Sequence, residues 1–132
     1  MAAKNLYGQG MEGRVLNTTV SDTTVQTSHV TFLNTLDNIS YQLISTGTVA
    51  GAWTVEVSNN YTPGLGDNQA PNSGNWVDIT SLFTTVNAVT SGGSDQYIEK
   101  SSGLIGARAI RVKFTPTSGA GTVSAWFFGK GM

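Results

Sequence analysis

The 132-residue chain contains no cysteine, and this absence excludes several classes of protein. Without thiols there is no disulfide framework, zinc knuckle, iron–sulfur cluster or cysteine nucleophile. His29 is the single histidine, so a histidine-rich metal centre is excluded as well. No segment approaches the roughly 20 apolar residues of a membrane-spanning helix, and the N-terminus lacks the apolar run of a secretion signal. We therefore expect a protein made in a cytoplasm, with no membrane partner.

Charge is also scarce, and it is unevenly distributed. Charged residues make up 11% of the chain, against roughly 25% in typical soluble domains. Residues 1–99 carry two basic and all eight acidic side chains, a sum of −6, whereas residues 100–132 carry five basic side chains and no acid. The basic strands either pair with acidic strands of the same fold or form a face for an acidic partner. Nucleic acid is not an expected partner, because the basic cluster is small and lacks a binding motif.

Hydroxyl, amide and glycine residues supply the polarity instead, with 18 Thr, 13 Ser, 10 Asn and 16 Gly. β-branched and aromatic residues recur between them in short runs separated by turn residues, which is typical of an all-β protein. Ten strands are predicted, at residues 15–20, 23–27, 29–36, 41–45, 52–58, 76–79, 84–89, 96–100, 107–115 and 122–128.

The strand pattern predicts an antiparallel β-sandwich of jelly-roll type. Within 107–115, Ile110 and Val112 alternate with Arg111 and Lys113, so one face is apolar and the other charged. The last strand carries aromatic residues on both faces, which indicates either a central strand or cover by another subunit. We expect an extended N-terminal arm at residues 1–14 and one sandwich domain at 15–132.

Sites of catalysis are not evident. The sequence has no G-x-S-x-G motif that could supply a nucleophilic serine for a catalytic triad with His29. The carboxylates are scattered through turns and strands rather than paired. Residues 8–13 match the glycine pattern of dinucleotide-binding loops, but no strand precedes them and no helix is predicted after them. A calcium site at Asp67 and Asn68, or at Asp95, is a weak prediction, because Asp and Asn also favour turns for local hydrogen-bonding reasons alone. We expect no enzyme, no metal and no cofactor.

Exposed aromatic rings offer one alternative, a sugar platform. Tyr61 lies inside the long loop 59–75 and Trp76 follows that loop, so both rings are candidates for stacking on a sugar. The competing interpretation is that Trp76 caps the sandwich. The sequence alone leaves both interpretations open.

Four stretches of the chain together resemble a known class of protein. They are GAWTVEVSN at 51–59, NWVDI at 75–79, RAIRVKF at 108–114 and SGAGTV at 118–123. This series, which covers roughly residues 50–128, resembles small β-sandwich proteins of tailed-bacteriophage virions: head decoration (cement) proteins, spikes and tail-associated modules. Discoidin-like and carbohydrate-binding sandwiches show a similar pattern, but they usually follow a secretion signal.

The resemblance implies a virion structural protein, with a capsid decoration protein bound outside the head as the leading hypothesis. It implies a homo-oligomer, expected to be a trimer, whose partners are its own copies and the major capsid protein or another virion protein. The alternatives are a carbohydrate-binding module of a tail or receptor-binding apparatus and a small coat subunit. The expected subunit or capsid contacts are Lys4, Leu6, Tyr7, Arg14, Arg108, Arg111, Lys113, Trp126 and Phe128.

Overall fold

The computed structural model describes residues 11–33, 36, 38–61, 74–100 and 105–131. Within these residues, the regular structure consists of nine β-strands and one short 3₁₀ turn, Thr80–Leu82. None of these elements is a helix long and apolar enough to cross a membrane. The strands are β1 Met11–Val20, β2 Gln26–Thr27, β3 Thr31–Phe32, β4 Asn38–Ser45, β5 Ala50–Ser58, β6 Val77–Asp78, β7 Ser94–Glu99, β8 Ala109–Ser118 and β9 Gly121–Lys130.

The strands form two antiparallel sheets. The first, sheet A, has four strands in the order β1-β9-β4-β7. The second, sheet B, has five: β8 lies between β5 and the two short strands β2 and β3, and β6 pairs with the far side of β5. The chain alternates between the sheets, because β4 leads into β5 and β8 leads into β9 across the sandwich.

The pairing is nested from the ends of the chain inwards. β1 pairs with β9, β2 and β3 pair with β8, β4 pairs with β7, and β5 pairs with β6. A long hairpin paired in this way and rolled into two sheets is a jelly roll. The prediction of an all-β antiparallel sandwich with jelly-roll character is therefore confirmed.

The chain crosses from one sheet to the other at two tight corners, the β4–β5 and β8–β9 connections. These two corners lie against each other. Thr46 N–H donates to the Thr122 carbonyl at 2.9 Å, and Thr48 N–H donates to the Ala120 carbonyl at 2.8 Å. The Thr46 and Thr122 hydroxyls are 2.6 Å apart. Gly119 has a φ of 80°, and a Cβ there would overlap the Thr48 carbonyl oxygen. The corner therefore requires a residue without a side chain.

The core lies between the sheets, where the alternation of the sequence places it. Trp53 packs on Phe114 within sheet B, with ring centroids 4.9 Å apart. Tyr41 packs edge-on against Phe127 within sheet A at 5.4 Å. Burial without a hydrogen-bond partner for its hydroxyl raises the pKa of Tyr41 far above the usual tyrosine value.

The sheet edges are short, bulged or covered by the chain itself. Both edges of sheet B are two-residue strands. On sheet A, β1 has a bulge between Arg14 and Leu16, and the Val15 carbonyl there accepts the His29 N–H at 2.9 Å. Thr84 exchanges hydrogen bonds with Glu99 along the outer edge of β7. Such edges resist pairing with strands of other molecules.

Two sequence predictions need correction. β1 begins at Met11, so residues 11–14, which were predicted to belong to the arm, pair with β9; residues 1–10 lie outside the described part. Gly13 interrupts the apolar alternation, which hid this extension. The predicted strand 84–89 is not one, because Thr84 bonds to β7 of sheet A while Val89 bridges Gly51 of sheet B. A segment that crosses between sheets cannot pair continuously with either.

Replacing Gly119 tests the corner. We expect Gly119→Ala to lower the free energy of unfolding by about 3 kcal/mol or more, because the positive φ and the overlap with Thr48 add together. The measurement is urea denaturation at equilibrium. As the control, Gly106→Ala has open space around its Cβ and should leave stability unchanged or raise it by up to about 1 kcal/mol. Equal losses in the two variants would contradict this role of the corner.

Candidate functional site

One end of the outer face of sheet B is covered by the chain's own side chains. Val30, Tyr61 and Ala109 form a second buried cluster there, with Phe32 and Trp76 packed against it. The Tyr61 ring centroid is 5.5 Å from that of Phe32 and 5.7 Å from that of Trp76. At this end sheet B therefore has a hydrophobic layer on each face, whereas Ala52 and Thr115, which pair on the same outer face, are exposed.

A buried ion cluster lies beside this layer. Glu56 and Arg111 are direct cross-strand partners on β5 and β8, and the Arg111 Nε and Nη2 atoms lie 2.8 and 2.7 Å from Glu56 Oε1. Lys113 Nζ lies 3.1 Å from the other carboxylate oxygen. The Trp76 ring covers the guanidinium, with Arg111 Cζ 4.2 Å from the ring centroid. One carboxylate thus holds two of the five basic side chains of residues 100–132.

This cluster corrects the predicted charged contact face. Arg111 is buried rather than on a contact surface, because Glu56 and Trp76 enclose it. Lys113 is partly buried on the same carboxylate. Arg108 remains exposed, with its Cζ 5.6 Å from the Phe32 ring centroid. At Arg111 and Lys113, the basic end of the chain is paired with an acid of the same fold.

The predicted sugar platform is wrong as well. Tyr61 is fully buried, and Trp76 lies between Tyr61 and the Arg111 guanidinium. A ring that is stacked on a buried cation has no open face on that side for a sugar. The capping interpretation of Trp76 is the one that the contacts support.

The outer face of sheet A is open and carries the exposed aromatic rings. Tyr97 is 61% exposed, Trp126 44% and Phe128 41%. Trp126 and Phe128 lie on β9, and Tyr97 lies two strands away on β7. β9 is a central strand of sheet A between β1 and β4, and its Trp126 and Phe128 side chains are exposed on the outer face.

These rings border a groove of about 650 Å³. Trp126, Gln42 and Tyr97 occupy one cross-strand row, and Phe128 and Ser40 belong to the next row. Because β4 runs between β9 and β7, the small polar side chains of Ser40 and Gln42 separate the rings. We call this feature the aromatic groove, with Tyr97, Trp126 and Phe128 as its walls and Ser40 and Gln42 as its floor.

Charged groups of both signs flank the aromatic groove. Arg14 on β1 places its Cζ 5.5 Å from the Trp126 ring centroid. On the β7 side, the Tyr97 hydroxyl donates to Glu99 Oε1 at 2.9 Å, and Gln42 Nε2 donates to Asp95 Oδ1 at 2.9 Å. The hydrogen bond to Glu99 raises the pKa of Tyr97 above its usual value.

Three of the predicted contact residues meet in this groove or at its rim: Arg14, Trp126 and Phe128. Arg108, Arg111 and Lys113 lie on the other sheet, and Lys4, Leu6 and Tyr7 lie outside the described residues. Tyr97 was missed, although its alternation with Ile98 predicts an outward side chain.

A second exposed apolar surface lies near β6, and it is aliphatic. Val77 is 63% and Leu82 48% exposed. Two shallow grooves of about 380 and 340 Å³ meet there and share Val57 and Asn59. Amide side chains border the first groove, where Asn60 is fixed to Asn75 at 2.8 Å, and Lys100 lines the second. We call Val57, Val77, Ile79 and Leu82 the aliphatic patch.

In the described ranges, the side chains considered for catalysis or metal binding do not lie close together. No group of three or more His, Asp or Glu residues among them could hold a metal ion. His29 is exposed on the link between β2 and β3. Asp95 is engaged with Gln42, and Asp67 and Asn68 lie outside the described residues. The glycine motif at 8–13 leads into strand β1 rather than a helix, which removes the dinucleotide-loop interpretation.

Comparison with known proteins adds no family assignment. No protein-family model matches the chain, and no curated protein matches its sequence. Function is therefore inferred from the two exposed surfaces and the fold.

Removing the shared carboxylate tests the ion cluster. We expect Glu56→Ala to lower the free energy of unfolding by about 3–5 kcal/mol, because it leaves Arg111 buried without its counter-charge. Denaturant unfolding measures the loss. Glu99→Ala is the control, since Glu99 is an exposed strand carboxylate whose hydrogen bond from Tyr97 lies at the surface, and its removal should lower the free energy of unfolding by about 1 kcal/mol or less. A similar small change for Glu56→Ala would refute the structural role of the cluster.

The pH dependence of Tyr97 tests the groove geometry. Because the folded-state pKa is raised, the stability from this bond is present below the usual tyrosine pKa and is lost as pH rises through the folded value. We expect Glu99→Gln to lower the Tyr97 pKa. Alkaline titration of phenolate absorbance, with Tyr97→Phe to identify the signal, measures it. Asp95→Asn should leave the titration in place, and an unchanged Tyr97 pKa in Glu99→Gln would contradict the assigned bond.

Proposed function

We propose that the protein is a structural component of a tailed-phage virion, a decoration protein that binds the outside of the head as a homo-oligomer. In this proposal it is a trimer and acts by binding, without catalysis. Two-sheet jelly rolls recur in viral capsid proteins. That support is an analogy of fold, and one fold serves many functions. The stronger support comes from the exposed surface of the protein.

The aliphatic patch is the observation that carries the proposal. Val77 and Leu82 form an exposed apolar centre, and Asn59, Asn60, Asn75 and Lys100 form a polar rim beside it. An apolar centre with a polar rim is the usual anatomy of a protein–protein interface. The chain's own short, bulged and covered edges favour docking through such a patch over strand-to-strand pairing.

The composition of the surface supports the same role. Hydroxyl and amide side chains form short-range hydrogen bonds, and the low charge of the chain keeps long-range repulsion between closely packed copies small. The Glu56 cluster removes two basic side chains from the surface charge. A decoration protein present in many neighbouring copies benefits from both properties.

A charge placed in the aliphatic patch tests the proposal. We expect Val77→Asp to reduce binding to phage particles that lack the protein by at least about tenfold, because a carboxylate would be desolvated in the contact. Co-sedimentation with the particles measures binding, and light scattering reports the oligomeric state of the free protein.

Val25→Asp is the matched control. Val25 is 44% exposed on the link before β2, away from the aliphatic patch, so the same change there should leave particle binding intact. Circular dichroism shows whether each variant is folded. A wild-type protein that is monomeric, and that mass spectrometry does not find in purified particles, would overturn the proposal.

A further inference from the structure

We propose that the aromatic groove of sheet A binds a short segment of an uncharged polysaccharide built of pyranose rings. This site goes beyond the virion role and does not depend on it. It also replaces the subunit contact predicted from sequence for Trp126 and Phe128, and it uses different rings from the Tyr61 and Trp76 platform.

The walls of the groove suit stacked sugar rings. Trp126 and Tyr97 share one cross-strand row with Gln42 between them, so their backbones are two strand spacings apart, roughly 9–10 Å. The faces of aromatic rings are electron-rich and attract the weakly positive C–H groups that cover the flat faces of a pyranose. Exposed aromatic rings on both sides of a polar strip thus offer such faces to a sugar chain lying along β4.

The floor and rim suit hydroxyl groups. Ser40 contributes a hydroxyl that donates and accepts, and Gln42 has an amide with one hydrogen on Asp95 and further donor and acceptor capacity. Glu99 accepts the Tyr97 hydroxyl on one oxygen, and a carboxylate has a second oxygen that accepts hydrogen bonds. A polyhydroxyl ligand can use such a mixture of donors and acceptors.

The size of the groove suits a small ligand. The groove volume of about 650 Å³ lies inside the roughly 300–1,000 Å³ range of small-ligand sites.

The flanking charges favour a neutral ligand. Asp95 and Glu99 lie at the β7 side and repel polyanions such as nucleic acids and acidic polysaccharides. On the opposite side, Arg14 places its Cζ 5.5 Å from the Trp126 ring centroid, and Lys130 follows Phe128 on the same face of β9, so charges of both signs flank the groove. The floor itself carries no charge. An uncharged sugar meets no electrostatic penalty in this arrangement.

Binding is tested with the full-length protein and an array of neutral glycans, followed by calorimetric titration with soluble hexasaccharides of glucose, galactose, mannose and N-acetylglucosamine. An acidic oligosaccharide is the charge control. We expect at least one neutral glycan to bind, with a change in tryptophan fluorescence that Trp126→Phe reduces. The acidic probe should bind at least about tenfold more weakly, a difference of about 1.4 kcal/mol.

Variants locate the site. Tyr97→Ala and Trp126→Ala should each lower the association constant by at least about tenfold, while Trp126→Phe should retain part of the binding because it keeps a ring. Tyr97 is the most exposed of the three rings, so its variant stays informative even where Trp126→Ala is unstable. Val25→Asp lies outside both the groove and the aliphatic patch and should leave sugar binding unchanged.

The two proposals fail separately. A folded protein that binds none of the neutral glycans overturns the sugar site, whatever happens in the particle assay. The sugar site is also overturned where Tyr97→Ala dissociates the oligomer or abolishes particle binding, since the rings then form a subunit contact. Sugar binding by a protein that never associates with particles supports the groove and contradicts the virion role.

Discussion

The close contact between the two corners is the constraint on which the rest of the fold depends. The β4–β5 and β8–β9 connections must turn from one sheet to the other at the same place, with Thr46 and Thr48 bonded to Thr122 and Ala120. Backbones approach this closely only because Gly119 and Gly121 have no side chains. Threonine hydroxyls complete the contact by bonding to the opposite backbone. Some of the hydroxyl-rich composition therefore supports the jelly roll itself.

The fold that results leaves the two sheets with different outer faces. On sheet B, Val30, Tyr61 and Trp76, which lie between strands in the sequence, cover one end of the outer face together with the Glu56–Arg111 pair. Such a buried pair stabilises the fold only while both partners are present. On sheet A, tight corners join β9 and β4 to sheet B, and the rings of β9 remain exposed. The exposed aromatic rings are therefore found on sheet A, where described residues between the strands do not cover them as they do on sheet B.

The sequence predicted the fold well, because alternation within a strand is a local signal. Ile110, Val112 and Phe114 are all buried as their spacing indicates. The surface was predicted less well, because burial there depends on residues far apart in the chain. Arg111 alternates like an exposed residue, and its partner Glu56 is 55 positions away. Tyr61 lies in a polar loop, and only the folded chain brings it to Phe32. The exposure of Tyr97, in contrast, could have been predicted from its alternation with the buried Ile98.

The open face of sheet A is not forced by the architecture, because the same chain covers one end of the corresponding face of sheet B with its own side chains. Leaving three aromatic side chains 41–61% exposed to water forgoes several kcal/mol of stability at roughly 25 cal/mol per Å². A ligand that covers even part of these rings recovers some of that free energy as binding. The aliphatic patch offers the same gain without flat ring faces, so it suits the irregular surface of a protein. The aromatic groove and the aliphatic patch are both hydrophobic, but only the groove has flat rings. We therefore infer a sugar as the partner of the groove and a protein as the partner of the patch.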